Sequence, residues 1–168
     1  MSIFKKIEPQ QIVRNPFTMI GKDWLLITAE KDGKVNTMTA SWGGIGILWN
    51  KPVAYIFIRP QRYTKEFVDA NNKLSLTVLN ESFRKQLNYL GTVSGRDEDK
   101  IQKANLSLQY EDEVPFFEQG ELVLICRKLY AQELKKECFL YSSVETQNYP
   151  QKDYHTMYVC QIEKVLSQ

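Results

Sequence analysis

Histidine is nearly absent from this chain: among 168 residues there is one, His155. A metal site built on two or three histidines is therefore impossible within a single chain, and a Ser-His-Asp arrangement would have to use that one residue. Cysteine is scarce as well. Cys126, Cys138 and Cys160 lie 12 and 22 residues apart, so no Cys-x-x-Cys pair exists to chelate zinc or run a redox switch. Their odd number and the lack of a signal-peptide pattern lead us to expect reduced thiols in a cytoplasm. Cys126 and Cys160 fall in apolar, strand-like runs and read as small buried hydrophobes. Neither sign of charge dominates, since 22 Lys and Arg stand against 20 Asp and Glu for a net +2. That balance gives no reason to expect nucleic acid or a membrane as partner, and any basic site must be local. The longest apolar runs, 53–58 and 122–126, are far shorter than the roughly 20 residues that cross a bilayer. Phosphate-binding fingerprints are missing too. There is no G-x-x-x-x-G-K-[ST] loop, and Gly44-Ile45-Gly46 is only the first half of a G-x-G-x-x-G, which reads as a bend.

What is present is an ordinary globular composition: 43% hydrophobic, 25% charged and 12% aromatic residues. Disorder, collagen and long coiled coils are excluded, and the length predicts one domain spanning 1–168. Residues 24–30 and 35–42 are rich in β-branched and aromatic side chains, with Asp32-Gly33 between them as a hairpin signal. Residues 53–58 read as a buried strand bounded by Pro52 and Pro60, and 74–79 as another. Between these two strands, 62–70 changes to helical spacing. Ser82 is the expected cap of a second helix bearing Phe83, Leu87 and Leu90, and a third opens on Asp97, Glu98 and Asp99. Long strands at 121–132 and 156–166, separated by an irregular segment containing Pro150, close the chain. The sum is six strands with short helices inserted, a mainly β, mostly antiparallel sheet most economically closed as a small barrel.

Several polar groups interrupt this apolar pattern. Asn36, Thr37, Thr39 and Ser41 alternate along one strand with Met38 and Ala40 and lead into Trp42. Arg59-Pro60-Gln61-Arg62-Tyr63-Thr64 places two arginines where a buried strand ends and a helix begins, a pattern suited to a phosphate. Ser94-Gly95-Arg96 with Lys100 repeats the theme, glycine permitting close backbone approach and the cations neutralising an anion. Trp24 and Trp49 read as core or interface aromatics, and Lys65, Glu66 and Asp69 as a solvated helix face.

The run 36–44, the following Leu48-Trp49-Asn50-Lys51-Pro52, the block 59–64 and the stretch 91–100 together resemble the flavin reductase-like family of FMN-binding split barrels, over roughly residues 10–165. The resemblance implies a six-stranded antiparallel Greek-key split barrel with short peripheral helices, a homodimer, and one FMN near each side of the subunit interface. It implies that Asn36, Thr37, Met38, Thr39, Ala40, Ser41 and Trp42 lie beside the flavin. Arg59, Gln61, Arg62, Tyr63 and Thr64 would serve its ribityl-phosphate end, with Ser94, Gly95, Arg96 and Lys100 supplying further donors. His155, in a His-x-x-Tyr stretch with Tyr158, is the implied catalytic residue. The implied function is an oxidoreductase passing electrons from NAD(P)H through flavin to an acceptor. The alternative is a flavoredoxin-like electron-transfer protein fed by a donor protein, without its own NAD(P)H activity. A pyridoxamine-phosphate-oxidase-like role would need a substrate-phosphate site that the sequence does not display.

Overall fold

The structure, a computed structural model, describes residues 3–168. Its frame is an antiparallel sheet of eight strands: β1 (Lys5–Ile7), β2 (Leu25–Lys31), β3 (Lys34–Ala40), β4 (Gly43–Leu48), β5 (Lys51–Ile58), β6 (Lys73–Leu79), β9 (Gly120–Glu133) and β10 (Thr156–Ser167). Two further strands, β7 (Leu108–Glu111) and β8 (Val114–Phe117), pair only with each other. The helices are α1 (Pro16–Thr18), α2 (Tyr63–Ala70), α3 (Arg84–Thr92), α4 (Lys100–Lys103) and α5 (Ser142–Asn148).

The sheet runs β3-β2-β6-β9-β10-β5-β4, with β1 beside the last residues of β10. Its end strands β3 and β4 do not pair, so it is split rather than closed as a barrel, and it has eight strands where six were expected. The six expected strands are all present; β1 and β4 are the additions. β1 is only three residues and begins with two lysines, too short and too polar to show a strand period. The supposed glycine bend at 43–46 is in fact the start of β4, hydrogen-bonded to β5. Gly43 has φ 149°, and a Cβ there would lie 2.5 Å from the Tyr55 carbonyl oxygen, so glycine is what admits the pairing. The β7–β8 turn uses Asp112 and Glu113, both at positive φ, and lacks the glycine that would have signalled it.

The middle strands are buried on both faces: β9 carries the continuous apolar run 122–126 there, while β6 interleaves buried Ser75 and Thr77 with its leucines. Along β9, Leu122, Leu124 and Cys126 enter the main core with Ile27, Ile56, Phe67 and Tyr158. The alternate residues Val123 and Ile125 pack beneath Val114 and Phe116 of β8. A separate cluster under α3 joins Leu26, Leu87, Leu90, Leu106 and Phe117. α3 is entered through a turn in which Asn80, not Ser82, is the cap: Asn80 Oδ1 accepts from the Ser82 amide at 3.0 Å. α4 begins one residue after the acidic run, with Asp99 accepting from the Gln102 amide at 3.0 Å. Trp24 falls just outside β2 at φ 65°, its ring 3.4 Å beneath the Arg84 guanidinium. Among the described residues no helix is long and apolar enough to cross a membrane.

Candidate functional site

The C-terminal end of α3 organises the first half of the site. Carbonyls at a helix end carry partial negative charge and lack intrahelical partners, so they attract cations. Lys100 Nζ donates to the Leu90 and Val93 carbonyls at 2.8 and 3.0 Å, and Arg62 Nη1 donates to the Gly91 carbonyl at 2.8 Å. Among the described residues neither cation has a carboxylate partner. Lys100 is nonetheless only 3% exposed. Its burial, and secondarily the nearby Arg62, push its pKa down from 10.5 to about 8. Burial also lowers Arg62. Both side chains border a cavity of about 180 Å³ that Asn36, Gln61, Tyr63, Thr64, Thr92 and Ser94 complete. With two donors engaged, the ammonium retains a third, and most of the guanidinium fork is free. A buried and a half-buried cation without a carboxylate, beside hydroxyl and amide groups, have the charge and the donors that an anion such as phosphate requires.

Arg62 also borders a second cavity, about 260 Å³, lined by Met38, Thr39, Ala40, Ser41, Trp42, Phe57, Arg59 and His155. The two spaces therefore adjoin through one guanidinium. Here β3 ends, unpaired on its outer side, and the rings of Trp42 and Phe57 stand 5.3 and 6.5 Å from the imidazole of His155. His155 is buried, and its pKa falls from 6.5 to about 4, mainly by desolvation and further by the Arg59 cation, against an opposing pull from Asp153. It is neutral at neutral pH. The combination of aromatic walls, main chain from an unpaired strand edge and one neutral imidazole suits a flat, partly polar ring.

A model of the flavin reductase-like domain matches residues 20–167. The chain belongs to that family. The split sheet of this flavin reductase-like protein also matches solved structures. The FMN-binding domain of a flavin reductases-like enzyme from Shewanella baltica is 15% identical with a TM-score of 0.72, the alignment covering 98% of this chain and 76% of that one. Flavoredoxin from Methanosarcina acetivorans is 22% identical at a TM-score of 0.67, with the same coverages of 98% and 76%. An FMN-binding protein from Thermus thermophilus with bound p-hydroxybenzaldehyde is 16% identical at 0.70, covering 98% of this chain and 82% of its own. At such identities the likeness is one of fold. No curated protein matches the chain in sequence.

In this flavin reductase-like domain the residues singled out from sequence fall into three groups. Met38, Thr39, Ala40, Ser41, Trp42, Arg59, Arg62 and His155 share the larger of the two joined cavities, and Asn36, Gln61, Tyr63, Thr64, Ser94 and Lys100, again with Arg62, the smaller. Thr37, Gly95 and Arg96 line neither. Thr37 turns its hydroxyl to the Ile27 carbonyl at 3.0 Å and to Thr28 at 2.9 Å. Arg96 is exposed, pairs with Glu66 and lies 4.6 Å over the Tyr63 ring. Gly95 is a spacer, since a Cβ there would sit 2.3 Å from Asn36 Oδ1, whose amide Nδ2 donates to Thr64 at 3.0 Å. It also lines a third cavity of about 670 Å³ on the far side of Asn36, Tyr63 and Lys100. Arg59 is paired with Asp153 at 2.8 Å and donates to the Asn148 carbonyl at 2.9 Å. Tyr158, three residues after His155, is fully buried in the main core and donates to Asp69 at 2.5 Å. Asp69 stays on the exposed helix face expected of it, paired there with Lys65 at 2.7 Å, and accepts the Tyr158 bond as well. The residues that sequence reasoning missed are Phe57, Thr92, Val93 and the 148–153 segment. Phe57 and the 148–153 segment carry no motif, and the pairing of β5 with β10 brings them together, whereas Thr92 and Val93 lie inside the 91–100 stretch, at the end of α3.

Proposed function

We propose that this protein binds FMN across the two joined cavities and passes electrons from NAD(P)H through it to an acceptor. The observation that supports the reading is the buried Lys100 beside the half-buried Arg62, both held by helix carbonyls and lacking any carboxylate among the described residues. A protein maintains such a pair at a cost unless an anion completes it. Lys100, Arg62, Thr64 and Ser94 would hold the phosphate, and the β3 main chain with Trp42 and His155 would border the ring. When bound, FMN supplies the hydride-accepting and electron-releasing chemistry. The chain's part is positioning and electrostatics. Arg62, which has no carboxylate partner among the described residues, places positive charge at the ring-side cavity, which favours negative charge developing there, and the Trp42 and Phe57 rings give that cavity aromatic walls. Neutral His155 offers hydrogen bonding at neutral pH without adding a second full charge. A homodimer in a cytoplasmic setting belongs to the same proposal, on the family resemblance and the exposed Ile47 and Trp49 at the β4–β5 hairpin.

The deciding experiment is an anaerobic absorbance spectrum of the purified protein before and after NADH and NADPH. About one FMN per chain, bleached by either nicotinamide, is the expected result. Bleaching by dithionite or a reduced protein partner alone would assign the electron-carrier role instead. A flavin-free protein that cannot be reconstituted would overturn the proposal.

A further inference from the structure

His155 is held by a segment that lies outside every motif. Tyr149 ends α5, is 4% exposed, and places its hydroxyl 2.7 Å from His155 Nδ1. Its ring is fixed from several sides. The Arg59 guanidinium lies 4.9 Å from the ring centroid, and the Tyr154 ring packs at 5.1 Å. Arg59 in turn bonds the carbonyl of Asn148 and the carboxylate of Asp153, so one cation clamps both ends of the 148–153 turn. Glu145 accepts from Lys152 and from the Tyr154 hydroxyl, each at 2.6 Å, tying the turn back to α5.

We propose that Tyr149 is a positioning residue that holds His155 as the neutral tautomer protonated on Nε2, so that a hydrogen-bond donor, and not an acceptor, is presented to the cavity lined by Trp42 and Phe57. This rests on the reading that the cavity is the reaction site. The reason lies in where the phenolic proton goes. Among the described residues Nδ1 is its only acceptor, and a buried hydroxyl proton left without one is costly. If Nδ1 carried a proton, two hydrogens would compete for one contact and the phenol would have to turn away to nothing. With the phenol donating, Nδ1 is an acceptor and the ring proton belongs to Nε2, which has no partner among the described residues. The charged groups facing the imidazole, Arg59, Asp153 and Arg62, include two cations to one carboxylate, and burial favours the uncharged ring further. A fixed Nε2 donor selects ligands that turn a carbonyl or other acceptor toward it, such as the carboxamide oxygen of a nicotinamide or a flavin carbonyl, over ligands offering N–H.

The single histidine makes the test direct. Nitrogen-15 NMR of the imidazole in the intact protein distinguishes a protonated from an unprotonated ring nitrogen at each position. In the wild type we expect one tautomer, Nε2–H, unchanged from pH 8 to pH 5, with titration only near 4. In Tyr149→Phe the donor to Nδ1 is gone, so both tautomers appear, while burial and the Arg59 cation remain and keep the midpoint well below 6.5. An Nδ1–H tautomer in the wild type would overturn the proposal, whether or not the variant folds. So would a variant spectrum identical to the wild type. The measurement needs no nicotinamide, so a reversed tautomer leaves the flavin reading standing, and a protein that fails to take FMN leaves the tautomer assignment standing.

Discussion

Replacing Lys100 with methionine keeps the length of the side chain and removes its charge, and the structure sets what that does to cofactor binding as a function of pH. In the free protein the Lys100 pKa is about 8 instead of 10.5, a difference worth roughly 3 kcal/mol between its protonation states. The folded protein without an anion resists protonating Lys100, and a phosphate dianion removes that resistance. Below pH 8 the ammonium is already charged and the wild type binds with its full affinity. Above pH 8 binding must draw in a proton, so the FMN dissociation constant rises by up to about tenfold per pH unit until the free-chain value is approached. The phosphate group itself is a dianion throughout, its second pKa being about 6. Titration by fluorescence quenching from pH 7 to 9.5, with calorimetry in two buffers to count proton uptake, reads both effects. Lys100→Met should bind roughly 10- to 150-fold more weakly at pH 7, the worth of one charge-assisted contact, and its affinity should be flat across that range. The sign for stability is the reverse. Because the unfolded chain binds the proton between pH 8 and 10.5 and the free folded protein does not, the apoprotein gains stability as pH rises through that window. An unchanged affinity in Lys100→Met, or a wild-type affinity that does not fall above pH 8, would refute the placement of the phosphate at Lys100.

Gly95→Ala puts a methyl 2.3 Å from Asn36 Oδ1 and 3.2 Å from the Tyr63 ring, displacing the Asn36–Thr64 bond. We expect a loss of about 1–3 kcal/mol in stability and at least a tenfold weaker FMN affinity, and variant values matching the wild type in both thermal melt and titration would count against it. His155→Ala should keep its FMN and slow anaerobic reduction by NAD(P)H on the order of 10- to 100-fold, read by stopped-flow absorbance. Since folding lowers His155 from 6.5 to about 4, the wild type loses stability as pH falls through that interval, and the variant should lose less. Light scattering should give close to twice 19.6 kDa, and Ile47→Glu with Trp49→Glu should give the monomer.

Much of this protein is legible in its amino-acid sequence. The six long strands announce themselves by β-branched, aromatic and apolar residues, as an unbroken apolar run where a strand such as β9 is buried on both faces, and the β2–β3 turn because Asp-Gly suits the positive φ of Asp32 and Gly33. The phosphate-competent residues are legible because arginine, lysine, glycine and hydroxyls beside element ends are the chemistry an anion needs. What composition and spacing could not reveal is which of those cations remain unpaired. Arg96 and Arg59 find carboxylates on α2 and in the 148–153 turn, 30 and 94 residues away, whereas Lys100 and Arg62 settle on the carbonyls at the end of α3 and have no carboxylate partner among the described residues. β4 was hidden for a related reason, since Gly43 joins the sheet only through the close approach of the Tyr55 carbonyl. Local sequence determined where strands and turns form and which chemical groups were on hand. The tertiary structure alone decided the partners, because charge neutralisation and hydrogen bonding depend on distances in space between segments far apart along the chain.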